Sequence, residues 1–349
     1  MESHFSKEHS MLIKKIQRVE FLKEQLGKER RDSPHKYHQV RKRVEFLIPF
    51  KYEQAKILNI HPRFLTGARM KMWQLLHEFP LITKKKVTYF DNAAFPGSFI
   101  IAVDHFCNEH GIDLSWYANS ICAPGYLDDS FQLQDKYPDR WMMSEQNNGD
   151  VSDLNNIYDI INRMDEKVDL YTSDLGMNVG ERHSEQETIH SKPFVGHLLL
   201  GLHLLKQGGC IVLKQYSMDT ELSKSIIEIL KRCFKKIEIT KPFFSKDGND
   251  ESYIVGIHRT EIDKSIIASI DARMRERKWD AHNPIIPVTE DVRKIIYDVS
   301  VNLRERQIVY LENTLSLIRD EPLKHLFVAK KPLIDLWLKK FSFHKKKEK

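Results

Sequence analysis

The sequence has few of the patterns that announce an activity directly. Only four cysteines (Cys107, Cys122, Cys210 and Cys233) occur in 349 residues, far apart and with no C-x-x-C pair. This argues against a disulfide framework or a cysteine-ligated zinc and for reduced core thiols. No apolar run approaches the roughly 20 residues needed to cross a bilayer, so no membrane segment is expected. The first residues lack the basic-then-apolar layout of a secretory signal, and a cytoplasmic-type compartment is expected. There is no Gly-x-x-x-x-Gly-Lys-Ser/Thr, which excludes a P-loop nucleotide site. Pro96 and Ile100 stand where a Gly-x-Ser-x-Gly elbow would need glycines around Ser98, which excludes that hydrolase. His35 and His38 have no partners at metal-ligand spacing, and no metal is expected.

What is present is ordinary for a folded protein, with 41% hydrophobic and 30% charged residues. The length suits one large α/β domain with extensions, or two domains. The net charge of +6 is uneven, because Lys28 to Arg43 and His344 to Lys349 are both rich in bases. Such patches suit a phosphate backbone.

Three regions follow from the pattern. Residues 1–50 carry Leu12, Ile16, Val19 and Leu26, then Val40, Val44 and Leu47, at helical spacing, broken at Ser33-Pro34. They read as a basic helical extension. In 51–260, strands and helices alternate from Val87 onward, which predicts a mostly parallel sheet covered on both faces. The predicted strands are Val87–Phe90, Leu114–Cys122, Val168 onward, Cys210–Leu213, Ile237–Thr240 and Tyr253–Ile257. A long helix is expected over Glu185–Lys206, ended by Gly208-Gly209. Residues 261–349 read as a helical extension, capped near Thr289, with a basic tail.

The chain is organised around Tyr89-Phe90-Asp91-Asn92-Ala93-Ala94-Phe95-Pro96-Gly97-Ser98-Phe99, a strand, a tight turn and a helix start. In a doubly wound sheet such a turn lies at the carboxyl end of a strand, where ligands bind. Asp174 and Lys214 follow other buried strands at that edge. Glu251 reaches it only if the last strand runs antiparallel. Lys71 lies on a helix before the first strand, where a wet ammonium on a surface-lying stem is the ordinary expectation. Two lysines and two carboxylates can then converge, and a lysine among them is expected to have its pKa moved towards neutrality and to act as a base.

These residues resemble the RrmJ/FtsJ-type RNA 2′-O-methyltransferases. Asp91 to Phe99 is similar to that family's Asp-x-Gly-x-x-Pro-Gly-Gly-Phe/Trp turn. Ala-Arg-Met-Lys-Met, Thr-Ser-Asp-Leu-Gly, Ile-Val-Leu-Lys and Glu-Ser-Tyr-Ile-Val are similar to the segments that carry its Lys-Asp-Lys-Glu set. The phrases Asn-Asn-Gly-Asp-Val, Gly-Met-Asn-Val-Gly and Tyr-Ile-Val-Gly more narrowly resemble FtsJ-like methyltransferases of large cytoplasmic DNA viruses, African swine fever virus among them. The resemblance implies a Rossmann-like fold dependent on S-adenosylmethionine, with the last strand antiparallel. It implies Lys71, Asp174, Lys214 and Glu251 as catalytic residues. It also implies Asp91, Ala93, Phe95, Pro96, Gly97, Ser98, Phe99, Asp150 and Asp174 as cofactor contacts.

The implied reaction is methylation of an RNA ribose 2′-hydroxyl at the 5′ cap region of mRNA, without a metal. Lys214 would take the proton, with Asp174 and Glu251 depressing its pKa, and the basic amino-terminal arm would hold RNA phosphates. Trp73, Trp116, Tyr117 and Tyr126 are the aromatics available to stack on a cap. Host cytoplasm or virion would be the location, and viral transcription or capping machinery the company.

Three departures stand out. Ala93 and Ser98 replace glycines, Phe95 replaces a small residue and would crowd the methionine end of the cofactor, and the second strand ends without an acid for the ribose hydroxyls. Asp128 or Asp129 could serve there from the loop. An FtsJ-like scaffold that binds RNA without catalysis, or an enzyme acting on ribosomal or transfer RNA, are the alternatives.

Overall fold

The computed structural model describes residues 2–45, 47–123, 127–176, 179, 185–326 and 330–341. Tyr126, most of the Gly-Met-Asn-Val-Gly phrase and the basic tail at 344–349 lie outside the described residues.

In chain order, helices α1 (Glu2–Asp32), α2 (Pro34–Val44) and α3 (Leu47–Leu58) come first. They are followed by α4 (Gly67–Glu78), β1 (Lys86–Asn92), α5 (Ser98–His110), β2 (Asp113–Asn119) and the short α6 (Leu133–Lys136). Next are α7 (Leu154–Arg163), β3 (Val168–Ser173), α8 (Gln186–Leu204), β4 (Leu205–Gln215), α9 (Glu221–Cys233) and β5 (Phe234–Thr240). Last are β6 (Ser252–Arg259), α10 (Lys264–Met274), α11 (Glu290–Arg319) and α12 (Lys330–Phe341). Among the described residues no helix is long and apolar enough to cross a membrane. Contacts divide the chain into two units, one of residues 1–65, 243–250 and 294–349, the other of 66–242 and 251–293.

The first unit is helical. Val19 and Leu22 of α1 pack on Leu311 and Leu315 of α11, and Val40 and Val44 of α2 pack on Ile318. Phe50, Phe244 and Trp337 form an aromatic cluster with ring centroids 4.8–5.8 Å apart. The carboxylate of Asp250 is buried between Lys23 and Arg304 and accepts from Gln307 Nε2 at 2.8 Å. Burial opposes its charge, but these two cations hold it ionised well below the usual range.

The second unit is an α/β sheet domain with six strands among the described residues, in the order β2-β1-β3-β4-β6-β5. Strands β1, β2, β3 and β4 pair in parallel, whereas β6 runs antiparallel to both β4 and β5. This is the Rossmann-like arrangement expected, last strand included. β3 is buried at all six positions and β1 at six of seven, as strands covered on both faces must be. Local chemistry fixes where the flanking helices begin. Thr66, Asp153, Thr220 and Asp263 each accept a backbone N–H with the side chain at the first turn of α4, α7, α9 and α10.

Two boundaries differ from expectation. Gly208 and Gly209 do not end α8. The helix stops at Leu204, and both glycines lie inside β4, where Gly208 takes φ +82° beside a register shift against β3. β2 stops at Asn119, before Cys122, and Cys122 is exposed whereas the other three cysteines are buried.

Where α8 crosses the segment before α7, Gly196 permits close approach: a Cβ there would fall 1.7 Å from the Val151 carbonyl oxygen. Backbone cannot yield as a flexible side chain does. Gly196→Ala is therefore expected to destabilise the protein by about 1–3 kcal/mol in urea denaturation, and an unchanged midpoint would contradict this packing.

Candidate active site

The carboxyl edge of the parallel strands collects the charged residues. Asp174 immediately follows β3, Lys214 is the penultimate residue of β4, and the reversal of β6 brings Glu251 and Ser252 to the same edge, with Ser252 paired to Gln215 and Tyr253 to Lys214. Lys71 arrives from α4. Its Nζ lies 2.8 Å from Glu251 Oε1. Lys214 Nζ lies 2.8 Å from Asp174 Oδ1 and 3.7 Å from Glu251 Oε2, and it also donates to the Asp174 carbonyl at 3.0 Å. The four sequence-predicted catalytic residues thus meet in one cluster.

Lys71, Lys214 and Glu251 are each 7% exposed, so the expectation of a wet Lys71 ammonium is overturned. Two cations and two anions in one place limit the desolvation that a single buried charge would suffer. The expected lowering of the Lys214 pKa is overturned as well. Burial alone would push the ammonium down, but the facing Asp174 and Glu251 carboxylates outweigh it and the net shift is upward. A carboxylate stabilises the charged form of its lysine neighbour. Lys214 therefore rests as an ammonium at neutral pH.

Tyr253 completes the cluster and escaped the sequence reading. Its hydroxyl donates to Asp174 Oδ1 at 2.6 Å, and Lys71 Nζ lies 5.3 Å from its ring centroid. Burial, then the Asp174 charge, hold the phenol well above its ordinary value, so it remains a donor. The signal was available, since Tyr253 stands two residues after Glu251 and strand side chains alternate with period two.

The turn after β1 is partly as expected. Ala93, Phe95 and Pro96 are partly exposed, whereas Gly97, Ser98 and Phe99 are buried. Ala93 takes φ +55° and Gly97 φ +102°, both left-handed, and the Phe95–Pro96 bond is cis. Ser98 Oγ is bonded to Thr66 Oγ1 at 2.8 Å, and the Phe99 ring lies 6.2 Å from that of Tyr253. The Phe95 ring stacks on Trp141 at 4.7 Å, which turns its bulk towards the loop after β2. A Cβ on Gly97 would meet Leu133 of α6 at 2.2 Å, so α6 packs directly over the turn.

Asp91 is not displayed to the crevice. It is 2% exposed, and Thr172 Oγ1 donates to its Oδ1 at 2.5 Å. Burial raises its carboxyl to about 8. Asp150 lies beside the end of β2, its Oδ1 accepting from Ser152 N at 2.8 Å. Asp128 and Asp129 are occupied in local turns, Asp128 accepting from Ser130 N and Asp129 from Gln134 N and Asp135 N. At the strand end where an acid was missing stands Asn119. Its Nδ2 donates to Asn92 Oδ1 at 2.8 Å and to the Gly149 carbonyl at 3.0 Å, while its buried Oδ1 has no partner among the described residues. Asn92 in turn donates to Ser173 Oγ, next to Asp174, and Ser173 Oγ lies 3.2 Å from His197 Nδ1. Burial lowers His197 to about 3, so it is neutral.

Of the aromatics considered for stacking, Trp73 is fully buried against His77 and His105 at 4.6 Å, and Trp116 is 6% exposed with Arg140 over its ring. Both serve packing. Tyr117 is half-buried on β2.

A mixed sheet whose reversed strand β6 lies between β4 and β5, with a turn at the carboxyl end of β1 and a buried Lys-Asp-Lys-Glu cluster, defines a Rossmann-like methyltransferase. The FtsJ-like methyltransferase model matches residues 65–259, and the chain belongs to that family. It is 32% identical over 216 residues to "Probable methyltransferase EP424R" of African swine fever virus (isolate Pig/Kenya/KEN-50/1950), a match covering 57% of this chain and 50% of that protein. It is 33% identical over 215 residues to "Uncharacterized protein L511" of Acanthamoeba polyphaga mimivirus, covering 57% and 27%. It is 27% identical over 208 residues to "Cap-specific mRNA (nucleoside-2'-O-)-methyltransferase 2" of Drosophila melanogaster, covering 55% and 29%. The chain spans about half the length of the African swine fever virus relatives, and less of the other two.

FtsJ-like methyltransferases use S-adenosylmethionine. The residues present fit such a ligand. Leaving a buried acceptor such as Asn119 Oδ1 unpaired costs about 1–3 kcal/mol, and a ribose hydroxyl is a donor suited to it.

Asp91 carries a pH dependence. The folded protein holds its proton up to about pH 8, whereas the unfolded chain releases it near 3.8. Stability therefore falls as pH rises between those values, and Asp91→Asn removes the effect. Denaturation at pH 5.5 and 8.5 should show the Asn variant gaining on wild type by about 1–3 kcal/mol at the higher pH. A constant difference would contradict the buried, raised carboxyl.

Proposed function

We propose that the protein transfers a methyl group from S-adenosylmethionine to a ribose 2′-hydroxyl of RNA, at the 5′ cap region of mRNA. The observation that carries this reading is the buried cluster of Lys71, Asp174, Lys214 and Glu251 beside the turn after β1. Similarity to the cap-specific Drosophila enzyme supports the 2′-hydroxyl and the cap. The bound cofactor supplies a methyl group already activated on a sulfonium. Asn119, Asp150 and the partly exposed turn residues Ala93, Phe95 and Pro96 would hold it, with Gly97, Ser98 and Phe99 shaping the turn from beneath and Asp91 bracing it.

In the proposed reaction the 2′-oxygen forms the new bond to the methyl carbon as the sulfur–carbon bond breaks, and the hydroxyl proton passes to Lys214 Nζ. Lys214 accepts it only in its neutral form, at pH 7.5 about one molecule in a thousand or fewer. Asp174 and Glu251 aim the amine, Tyr253 fixes Asp174, and Lys71 holds Glu251 and steadies the substrate. Positioning supplies much of the rate. In the helical unit Lys28, Arg30 and Arg43 are exposed, whereas Lys36 and Arg41 pair with Asp320 and Glu45. The exposed bases are available to RNA phosphates, in company with transcription or capping machinery.

The test is transfer of labelled methyl to short RNAs, capped and uncapped, by wild type and Lys214→Ala. Incorporation at the 2′-oxygen that requires the cap, and that falls at least about 100-fold in Lys214→Ala, is the expected result. Equal incorporation into uncapped RNA would move the substrate to ribosomal or transfer RNA. Absence of both transfer and cofactor binding would leave a non-catalytic RNA-binding scaffold.

The raised Lys214 pKa fixes the pH profile. The rate of the chemical step should climb about tenfold per pH unit through neutrality, with no plateau below about pH 10. Glu251→Gln removes one stabilising carboxylate and should move the plateau to lower pH while lowering its height. A flat profile between pH 6 and 9 would contradict Lys214 as the proton acceptor.

A further inference from the structure

The opposite edge of the sheet carries a cavity of about 570 Å³ that the methyl-transfer chemistry does not use. It lies where β3 and β4 begin and the antiparallel β6 ends. Strand β3 spans six residues, so about 20 Å of strand separates this cavity from the Lys-Asp-Lys-Glu cluster. Four cations line it, Lys167, Lys206, Arg259 and Lys264, together with His203 and aliphatic walls that include Leu202, Leu205, Ile262 and Ile267.

Among the described residues no acid lines the cavity, and three neighbouring acids, Asp169, Glu166 and Asp263, are engaged. Asp169 accepts from Lys84 at 2.6 Å, from Thr88 N at 3.0 Å and from Lys206 at 3.1 Å. Glu166 accepts from Thr88 Oγ1, and Asp263 caps α10 through Ser265 N. Lys167 and Arg259 donate only to backbone carbonyls among the described bonds, Lys167 to His203 O at 2.7 Å and Arg259 Nη1 to Leu205 O at 3.0 Å. Neutral carbonyls leave their positive charge uncompensated. Arg259 Nε and His203 Nε2 are buried with no partner among the described residues. Burial and the mutual repulsion of Lys167 and Arg259 lower the Lys167 ammonium, a strain that a bound anion relieves.

We propose that this cavity is a second, non-catalytic site for a nucleotide phosphate, with the phosphate on Lys167, Arg259 and Lys264 and the base against the aliphatic wall. The volume lies within the roughly 300–1,000 Å³ of small-ligand pockets. Three cations beside an apolar wall match an anion that carries a flat apolar ring. The same chemistry is presented by a free nucleotide and by one residue of an RNA chain, and the two are separable by experiment. The site stands independently of the methyl-transfer reading.

The test is equilibrium binding of a fluorescent nucleoside diphosphate and of a short uncapped RNA to wild type and to the double variant Lys167→Glu/Lys264→Glu. A second double variant, Lys235→Glu/Lys236→Glu, makes the same change of net charge on exposed positions of β5. The cavity variant should bind at least about tenfold more weakly, and the β5 variant should stay within about twofold of wild type. Weakening of the diphosphate marks a free-nucleotide site, and weakening of the RNA alone marks an RNA-tracking site. Equal losses in both variants, or no loss in either, would overturn the proposal. Photo-crosslinking of an azido nucleoside diphosphate, and of the short RNA carrying the same azide, to the wild-type protein keeps the test open should the cavity variant fail to fold. Labelled peptides should fall within 202–207 or 259–267, and labelling elsewhere alone, or none, would also overturn it.

Discussion

The Lys214 ammonium held between the Asp174 and Glu251 carboxylates is the interaction on which the site depends. It exists because β6 runs against the other strands it joins, bringing a residue that precedes a strand to the edge where Asp174 and Lys214 follow theirs. Were β6 parallel, Glu251 would lie at the far edge of the sheet and Lys71 would lose its 2.8 Å partner. The charges are nearly balanced and nearly buried. Removing any one of them leaves an opposite charge desolvated without compensation, which costs several kcal/mol in typical buried pairs. Chemistry and architecture are therefore coupled through one strand direction.

Much of this arrangement was legible in the sequence, for identifiable reasons. Apolar runs with acids or lysines at their ends marked β1, β3 and β4, and the need to bring Glu251 to the same edge required the antiparallel β6. What failed was local. The glycine pair 208–209 looks like a helix terminator but serves a register shift in β4, because tertiary pairing with β3 decides where the chain is extended. Lys71 looked like a surface lysine because its partner is 180 residues away, and no periodicity displays such a pairing. The sign of the Lys214 shift was misjudged because the two carboxylates outweigh burial.

The turn after β1 shows how a departure from a family pattern is absorbed. Ala93 takes a left-handed conformation in which a β-carbon is strained by about 1 kcal/mol relative to glycine. Phe95, expected to crowd the crevice, stacks instead on Trp141. Asn119, which drew no attention as an amide where an acid was sought, links the Gly149 segment through Asn92 and Ser173 to the residue before Asp174. One hydrogen-bonded chain thus runs from the Gly149 segment, proposed to bind the cofactor, to the residue before Asp174.

The measurement that tests the central claim most directly is the titration of the Lys214 ammonium itself, followed by NMR on protein with isotope-labelled lysine and assigned by Lys214→Arg. The account predicts that Lys214 titrates above the ordinary lysine value of about 10.4, and that Glu251→Gln moves it down. A Lys214 titrating near neutrality in the wild type would contradict it, and would mean that the two carboxylates do not hold the ammonium as the structure shows.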